Sequence, residues 1–482
     1  MSLRQKTISG FIWVGVERFS LQGLQFVLSI ILARILLPAE FGLIGMISIL
    51  FGVSQILIDS GLTTSLIRKS NVEDIEYDTI FYFNLMGSAL VYILIFFSAP
   101  FIATFYHEPI LINLSRVAAL SLLINSFSSI QNTRLTKLMQ FKTLAKIQIP
   151  SLIIGGVIGV VMAYQGYGVW SILATQLGGS VISCIQLWVY SNWRPQIRFS
   201  LKVLKDHFSF SMNITLAEIS NVLFNDIYNI VIGKFFSATQ LGFYTRANSL
   251  KQLPVTNLSS IVNKVAFPAF AEMQHDNERL KMAVKRIMQQ IIFWVAPLLI
   301  GLAVLAEPLF RFLFTEKWLP AVPYFQLLCI TGILHPLQSY NLLILQVKGR
   351  SDLFLKIEII KKVMISIGVW LIIPYGIFGL LYFQIAFSIT AYFINSYYSG
   401  YFIGYSVKEQ LKDISGILAL AVIMGIICFV INHQVAGWPD LSRLIVVGFI
   451  GMFFYLFSGY LIRLDPLVIF VAEVKSKFKR PR

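Results

Sequence analysis

The chain has 482 residues, 57% of them hydrophobic and 13% charged. Soluble domains carry about 25% charged residues, so this chain lacks the polar side chains needed to cover a water-exposed surface of its size. That excludes a soluble enzyme, a nucleic-acid-binding module and a disordered scaffold, and implies an integral membrane protein. The excess of 39 Lys and Arg over 23 Asp and Glu gives a formal charge of +16. In a soluble protein that charge would point to nucleic acid; in a membrane protein the positive-inside rule produces it.

From the N-terminus, Lys6 precedes an apolar run that Glu17 and Arg18 interrupt. With no small-x-small cleavage site in view, the first apolar segment is expected to remain in the mature protein. Stretches long enough to cross a bilayer follow at 11–33, 41–64, 79–104, 114–134, 147–164, 168–190, 211–233, 241–267, 287–306, 321–346, 357–374, 376–403, 414–432 and 441–462. With the N-terminus inside, 29 Lys and Arg fall on inner segments. Only Arg34, Lys234, Arg311 and Lys317 fall on outer ones. This asymmetry supports the spans and places both termini on the cytoplasmic side. Cys184, Cys329 and Cys428 sit inside apolar runs without metal-ligand spacing, so no metal site or disulfide framework is expected. The terminal cluster Lys475–Arg482 is expected to lie on the anionic inner leaflet, as a contact with membrane lipids.

A shift of 200 residues lays Ile31–Gly42 over Val231–Gly242, with Arg34 over Lys234 and Gly42 over Gly242. Shifts of 208 and 210 lay Tyr167-Gly-Val-Trp over Tyr375-Gly-Ile-Phe and Lys146-Ile-Gln-Ile over Lys356-Ile-Glu-Ile. Six spans per repeat, an even number, make the repeats parallel, an arrangement of transporters that hold substrate between two halves. The expected fold class is an all-α polytopic membrane protein with about fourteen transmembrane helices. Two six-helix lobes, 1–200 and 201–405, are followed by two further helices and a basic tail in 406–482.

Polar residues inside spans face a cavity or one another. The first span carries Arg18, Gln22, Gln25 and Ser29 on one face. The seventh carries Glu218, Asn225 and Asn229 on one face, with Asn221 and Asp226 beside it. The 200-residue shift lays Arg18 over Glu218 and Gln25 over Asn225. The fourth span shows Ser121, Asn125, Ser128 and Asn132, and its counterpart shows His335, Gln338 and Asn341. Arg246, Lys251 and Lys264 make the eighth span the most basic, and Asp59 lies in the second. Helix–helix hydrogen bonding explains single Ser and Asn residues equally well, and His335 is expected in such a bond. For Arg18, Glu218, Asp226, Arg246 and Lys251 a cavity-lining role is expected, with Gln22, Gln25, Asp59, Asn125, Asn221, Asn225 and His335 as further candidates. A neutral-polar, net cationic interior suits a substrate with many hydroxyls and one anionic group.

Four stretches carry a resemblance: Leu32–Gly42, Asp59–Arg68, Gly166–Trp170, and Gly242–Pro254 continuing to Phe267–Phe270. Over most of its length the chain resembles the polysaccharide-transporter, Wzx-like branch of the multidrug/oligosaccharidyl-lipid/polysaccharide exporter superfamily. The resemblance implies fourteen helices in two lobes that rock between inward-open and outward-open states. It also implies a flippase for undecaprenyl-pyrophosphate-linked oligosaccharide in the bacterial inner membrane, serving surface polysaccharide. Its partners would be the lipid-linked oligosaccharide, membrane lipids and a polymerase or assembly machinery, with no nucleic acid. No nucleotide motif and no cofactor is expected; the resemblance leaves room for coupling to an ion gradient, of protons or sodium. Two alternatives stay open: a cation-coupled drug exporter using Asp59, Glu218 and Asp226, and a membrane glycosyltransferase or polymerase. The longest outer loop, about 307–320, is small for a catalytic domain.

Overall fold

The computed structural model describes the backbone of residues 3–59 and 61–478. Side chains are described for these except 3–14, 16–17, 58–59, 209–214, 216–217, 258–265, 470 and 473–478. The side chains of Asp59 and Lys264 and the cluster Lys475–Arg482 therefore lie outside the described residues. Among the described residues the chain is helical, with no strand.

Contacts group the chain into two compact units, Met1–Gly242 and Phe243–Arg482. The first holds α1 (Leu3–Ile35), α2 (Pro38–Asp59), α3 (Leu62–Arg68), α4 (Asp74–Tyr106), α5 (Leu111–Ala118), α6 (Leu120–Lys137), α7 (Phe141–Tyr164), α8 (Val169–Tyr190), α9 (Leu201–Asn225) and α10 (Ile227–Phe235). α11 (Ala238–Glu272) begins in it. The second unit continues with α12 (Asn277–Val304), α13 (Ala306–Phe314), α14 (Val322–Val347), α15 (Ser351–Ile372), α16 (Gly376–Ile403), α17 (Val407–Gln434), α18 (Asp440–Leu461) and α19 (Asp465–Phe478).

Eleven helical stretches among the described residues are long and apolar enough to cross a membrane. One of them, 351–403, is α15 and α16 joined end to end by a short 3-10 turn at Ile373–Tyr375, and so covers two expected spans. The expected spans 211–233 and 241–267 fall on α9 with α10, and on α11. Neither region is among the eleven, so the count of fourteen remains an expectation.

Without water in the hydrocarbon core, helices pack through close backbone approach and interhelical hydrogen bonds. α7 and α8 show the first. A Cβ at Gly155 would lie 2.5 Å from Thr175 O, and one at Gly159 would lie 2.7 Å from Ser171 O. The second unit shows the other device. The Asn341 and Gln410 amides bond reciprocally, Nδ2 to Oε1 and Nε2 to Oδ1, both at 2.9 Å. Ser399 Oγ donates to Asn341 Oδ1 at 2.5 Å, and the Tyr392 hydroxyl donates to Gln410 Oε1 at 3.3 Å. Asn341 and Gln410 are fully buried, so this part of the polar stripe on α14 joins α14, α16 and α17 and lines nothing.

Candidate functional site: a polar cavity and two buried cations

In the first unit the matching stripe behaves differently. α6 carries Asn125, Ser128, Ser129 and Asn132 at helical spacing, which puts them on one face, with Ser126 and Thr133 beside them. They line a cavity of about 310 Å³ together with Gln55 of α2, Thr63 of α3, Asn84 of α4, Gln148 of α7 and Ser183 of α8. Eleven of its fourteen lining residues are Asn, Gln, Ser or Thr, and none is charged.

The hydroxyl protons of the α6 residues in this lining are already used. Ser126 Oγ donates to Leu123 O at 2.8 Å, and Ser128 Oγ to Asn125 O at 3.2 Å. Ser129 Oγ donates to Ser126 O at 3.2 Å, and Thr133 Oγ1 to Ser129 O at 2.8 Å. Each oxygen therefore presents lone pairs rather than a proton. Asn84, only 1% exposed, donates from Nδ2 to Ser129 Oγ at 3.4 Å, but its Oδ1 has no donor among the described residues. A second depression, of about 350 Å³, shares Asn132, Leu144 and Gln148 with the cavity and adds Arg18. Arg18 thus stands beside the α6 stripe, while Gln22 and Gln25, further along α1, line neither depression.

In the second unit Arg246 and Lys251 are buried, at 8% and 6% exposure. The Arg246 guanidinium carbon lies 5.1 Å from the Phe314 ring centroid and 5.4 Å from that of Trp318, within cation–π range of both. Lys251 runs its stem along α14, where a Cβ at Gly332 would meet its Cδ at 3.1 Å. Lys251 forms no hydrogen bond or ion pair among the described residues. Three residues beyond Gly332, His335 is exposed. Its ring forms no hydrogen bond among the described residues, so the interhelical bond expected of it is not formed there.

Glu218, Asn221 and Asn225 are exposed on α9. Their expected continuous stripe with Asn229 is divided, because α9 ends at Asn225 and Asp226 stands between α9 and α10 in a non-helical conformation. Asp competes for local hydrogen bonds in this way: Asp226 Oδ1 accepts from Asn229 Nδ2 at 2.7 Å.

Sequence reasoning missed Asn84, Gln148 and Gln55, each a lone amide in an apolar run and so a signal of the kind that α6 showed in bulk. It also missed a buried cluster in the first unit. Ser65 Oγ lies 2.7 Å from His207 Nδ1, and His207 Nε2 lies 3.3 Å from Glu76 Oε1, which also accepts from Lys69 Nζ. The order serine–histidine–carboxylate is that of a hydrolase, but Ser65, His207 and Glu76 are each 5% exposed. An acyl substrate has no approach, and the cluster ties α3 and α4 to α9.

A multi-pass helical chain with a charge-free polar cavity in one unit and buried cations in the other is built as a membrane transporter, not as an enzyme. Residues 31–323 match the family described as "Polysaccharide biosynthesis protein". The chain belongs to that family. It is 28% identical to the teichuronic acid biosynthesis protein TuaB of Bacillus subtilis, over 89% of either chain. To the succinoglycan biosynthesis transport protein ExoT of Rhizobium meliloti it is 30% identical, over 68% of this chain and 67% of that one. The fold matches a structure of the lipid II flippase MurJ in an inward closed conformation, with a TM-score of 0.73 at 14% identity. That match covers 94% of this chain and 99% of the other.

Proposed function

We propose that the chain is a flippase that moves an undecaprenyl-pyrophosphate-linked oligosaccharide from the inner to the outer leaflet of the bacterial inner membrane, by alternating access and with both termini cytoplasmic. The observation that carries this reading is Lys251, a buried ammonium with no anionic partner among the described residues. A charge in that position is costly unless something neutralises it, and a passing pyrophosphate supplies the missing anion. Arg246, with its planar fork, suits the same group by bidentate pairing, and Lys251 acts as a point charge. Arg18 is the corresponding candidate in the first unit. The relatives, named for polysaccharide biosynthesis and transport, support the substrate class. The polyprenyl tail stays in the bilayer while the head group crosses.

The test is a deletion strain. A flippase predicts lipid-linked oligosaccharide accumulating on the cytoplasmic leaflet with its sugar structure complete. Accumulation of an unfinished sugar would point to a glycosyltransferase, and unchanged lipid-linked oligosaccharide with altered drug sensitivity would point to a drug exporter. Complementation by Lys251→Glu should fail although the protein inserts normally; full surface polysaccharide in that strain would overturn the role of Lys251.

A further inference from the structure

We infer that the cavity of the first unit is a binding site for an uncharged sugar residue. The inference deepens the flippase reading and rests on it for the identity of the substrate. Three observations carry it. The cavity holds no charge, so it gives an ionic group no counterion; its volume lies at the lower end of the roughly 300–1,000 Å³ of small-molecule sites. The α6 hydroxyls of the lining have donated their protons to their own helix, so that face asks for a ligand that donates hydrogen bonds. The buried Asn84 Oδ1 lacks a donor, which costs about 1–3 kcal/mol if nothing supplies one.

Four amides, Gln55, Asn125, Asn132 and Gln148, form no hydrogen bond among the described residues. Each offers both donors and an acceptor to whatever fills the space. A sugar ring matches this lining: its hydroxyls donate to the Ser, Thr and Asn84 oxygens and accept from the amide N–H groups. Leu144, Ile147 and Leu187 supply the apolar side of the cavity, against which the C–H face of a ring packs. Water alone would also satisfy the polar groups, with room for about ten molecules at ~30 Å³ each. The alternative of a water-filled space is therefore one outcome of the test.

The experiment uses the purified full-length chain in lipid nanodiscs. Saturation-transfer NMR is recorded with three neutral probes: methyl β-glucoside, methyl β-galactoside and the methyl glycoside of N-acetylglucosamine. At least one should receive saturation from the protein, and the signal should fall at least fivefold in Asn132→Leu and in Gln148→Leu. Neither side chain bonds to the protein among the described residues, so both variants should keep their unfolding temperature; whichever does so decides the matter. No transfer to any probe in the unmodified chain, or undiminished transfer in a folded cavity variant, overturns the assignment. If glycosides fail to bind while the deletion strain still accumulates finished lipid-linked oligosaccharide, the cavity assignment falls and the flippase reading stands.

Discussion

Gly42 and Gly242 bring the starts of α2 and α11 together at backbone distance. A Cβ at Gly42 would lie 1.7 Å from Ala238 O, and a Cβ at Gly242 would lie 1.9 Å from Pro38 O. Residues 38 and 42 map onto 238 and 242 by the same 200-residue shift that aligns the repeat, so each half of this crossing is the image of the other. The symmetry gives the short sequence repeat a physical meaning: at this point two equivalent turns of chain meet on equal terms.

An alanine at either position should therefore destabilise the protein. Gly→Ala in a helix interior ordinarily stabilises by roughly 0.5–1 kcal/mol. Here the methyl group meets a carbonyl oxygen that cannot swing aside, and overpacking of this kind costs about 1–3 kcal/mol or more. Thermal unfolding of the purified chain should show lower transitions for Gly42→Ala and for Gly242→Ala. The double variant should lose less than the sum, because one substitution already separates the helices. A raised transition in either single variant would contradict the close crossing.

The helical class and the α6 stripe were legible in the sequence because bilayer length and helical spacing are one-dimensional signals. The spacing of Asn125, Ser128 and Asn132 puts them on one face of α6, and all three line the cavity. What the sequence could not give was which polar stripe opens and which closes. Asn125 and Asn341 look alike in their runs, but the partner that closes Asn341 is Gln410, 69 residues further along. The break at Asp226 was hidden for a related reason, since Asp226 and Asn229 suit a helix face and a local turn equally. The Ser65, Glu76 and His207 cluster draws on three separate helices, and no local pattern announces it.

Arg246 should not tolerate lysine. Its guanidinium faces two aromatic rings, and such contacts are worth about 0.5–2 kcal/mol each way from exposed to desolvated. An ammonium lacks both the planar stacking and the bidentate fork. Complementation of the deletion strain by Arg246→Lys should give clearly reduced surface polysaccharide at unchanged protein level, and Arg246→Glu should give none. Full activity of Arg246→Lys would show that only a positive charge is required there.

Glu76 should matter for stability more than for transport. Its carboxylate accepts from Lys69 and lies against His207, while its other oxygen accepts from the Glu73 N–H at 3.0 Å and so caps α4. Glu76→Gln keeps the size but removes the charge that holds Lys69, and hydrogen bonds to charged groups are worth about 1.5–3 kcal/mol. The unfolding midpoint of the variant should fall accordingly, with polysaccharide export retained in cells at permissive temperature. Loss of export at full stability would assign Glu76 to the transport cycle instead.

The Asn341–Gln410 pair provides a test of whether the closed stripe of the second unit is glue alone. Gln410→Leu leaves the Tyr392 hydroxyl without the acceptor it now uses, and deprives the Asn341 amide of a reciprocal partner. Asn341→Leu does the same to Gln410. Each single change should cost about 1–3 kcal/mol, the penalty of a buried polar group left unmade. Replacing both amides by leucine removes the amide that each single change leaves unpaired, although the Tyr392 hydroxyl still lacks its acceptor. The double variant should therefore be more stable than the two single losses predict, by about 0.5–3 kcal/mol of coupling. Thermal or denaturant unfolding of the four proteins completes the cycle. Strict additivity would show that the reciprocal amides do not act as one unit, and loss of export in the stable double variant would show that the network serves transport as well as packing.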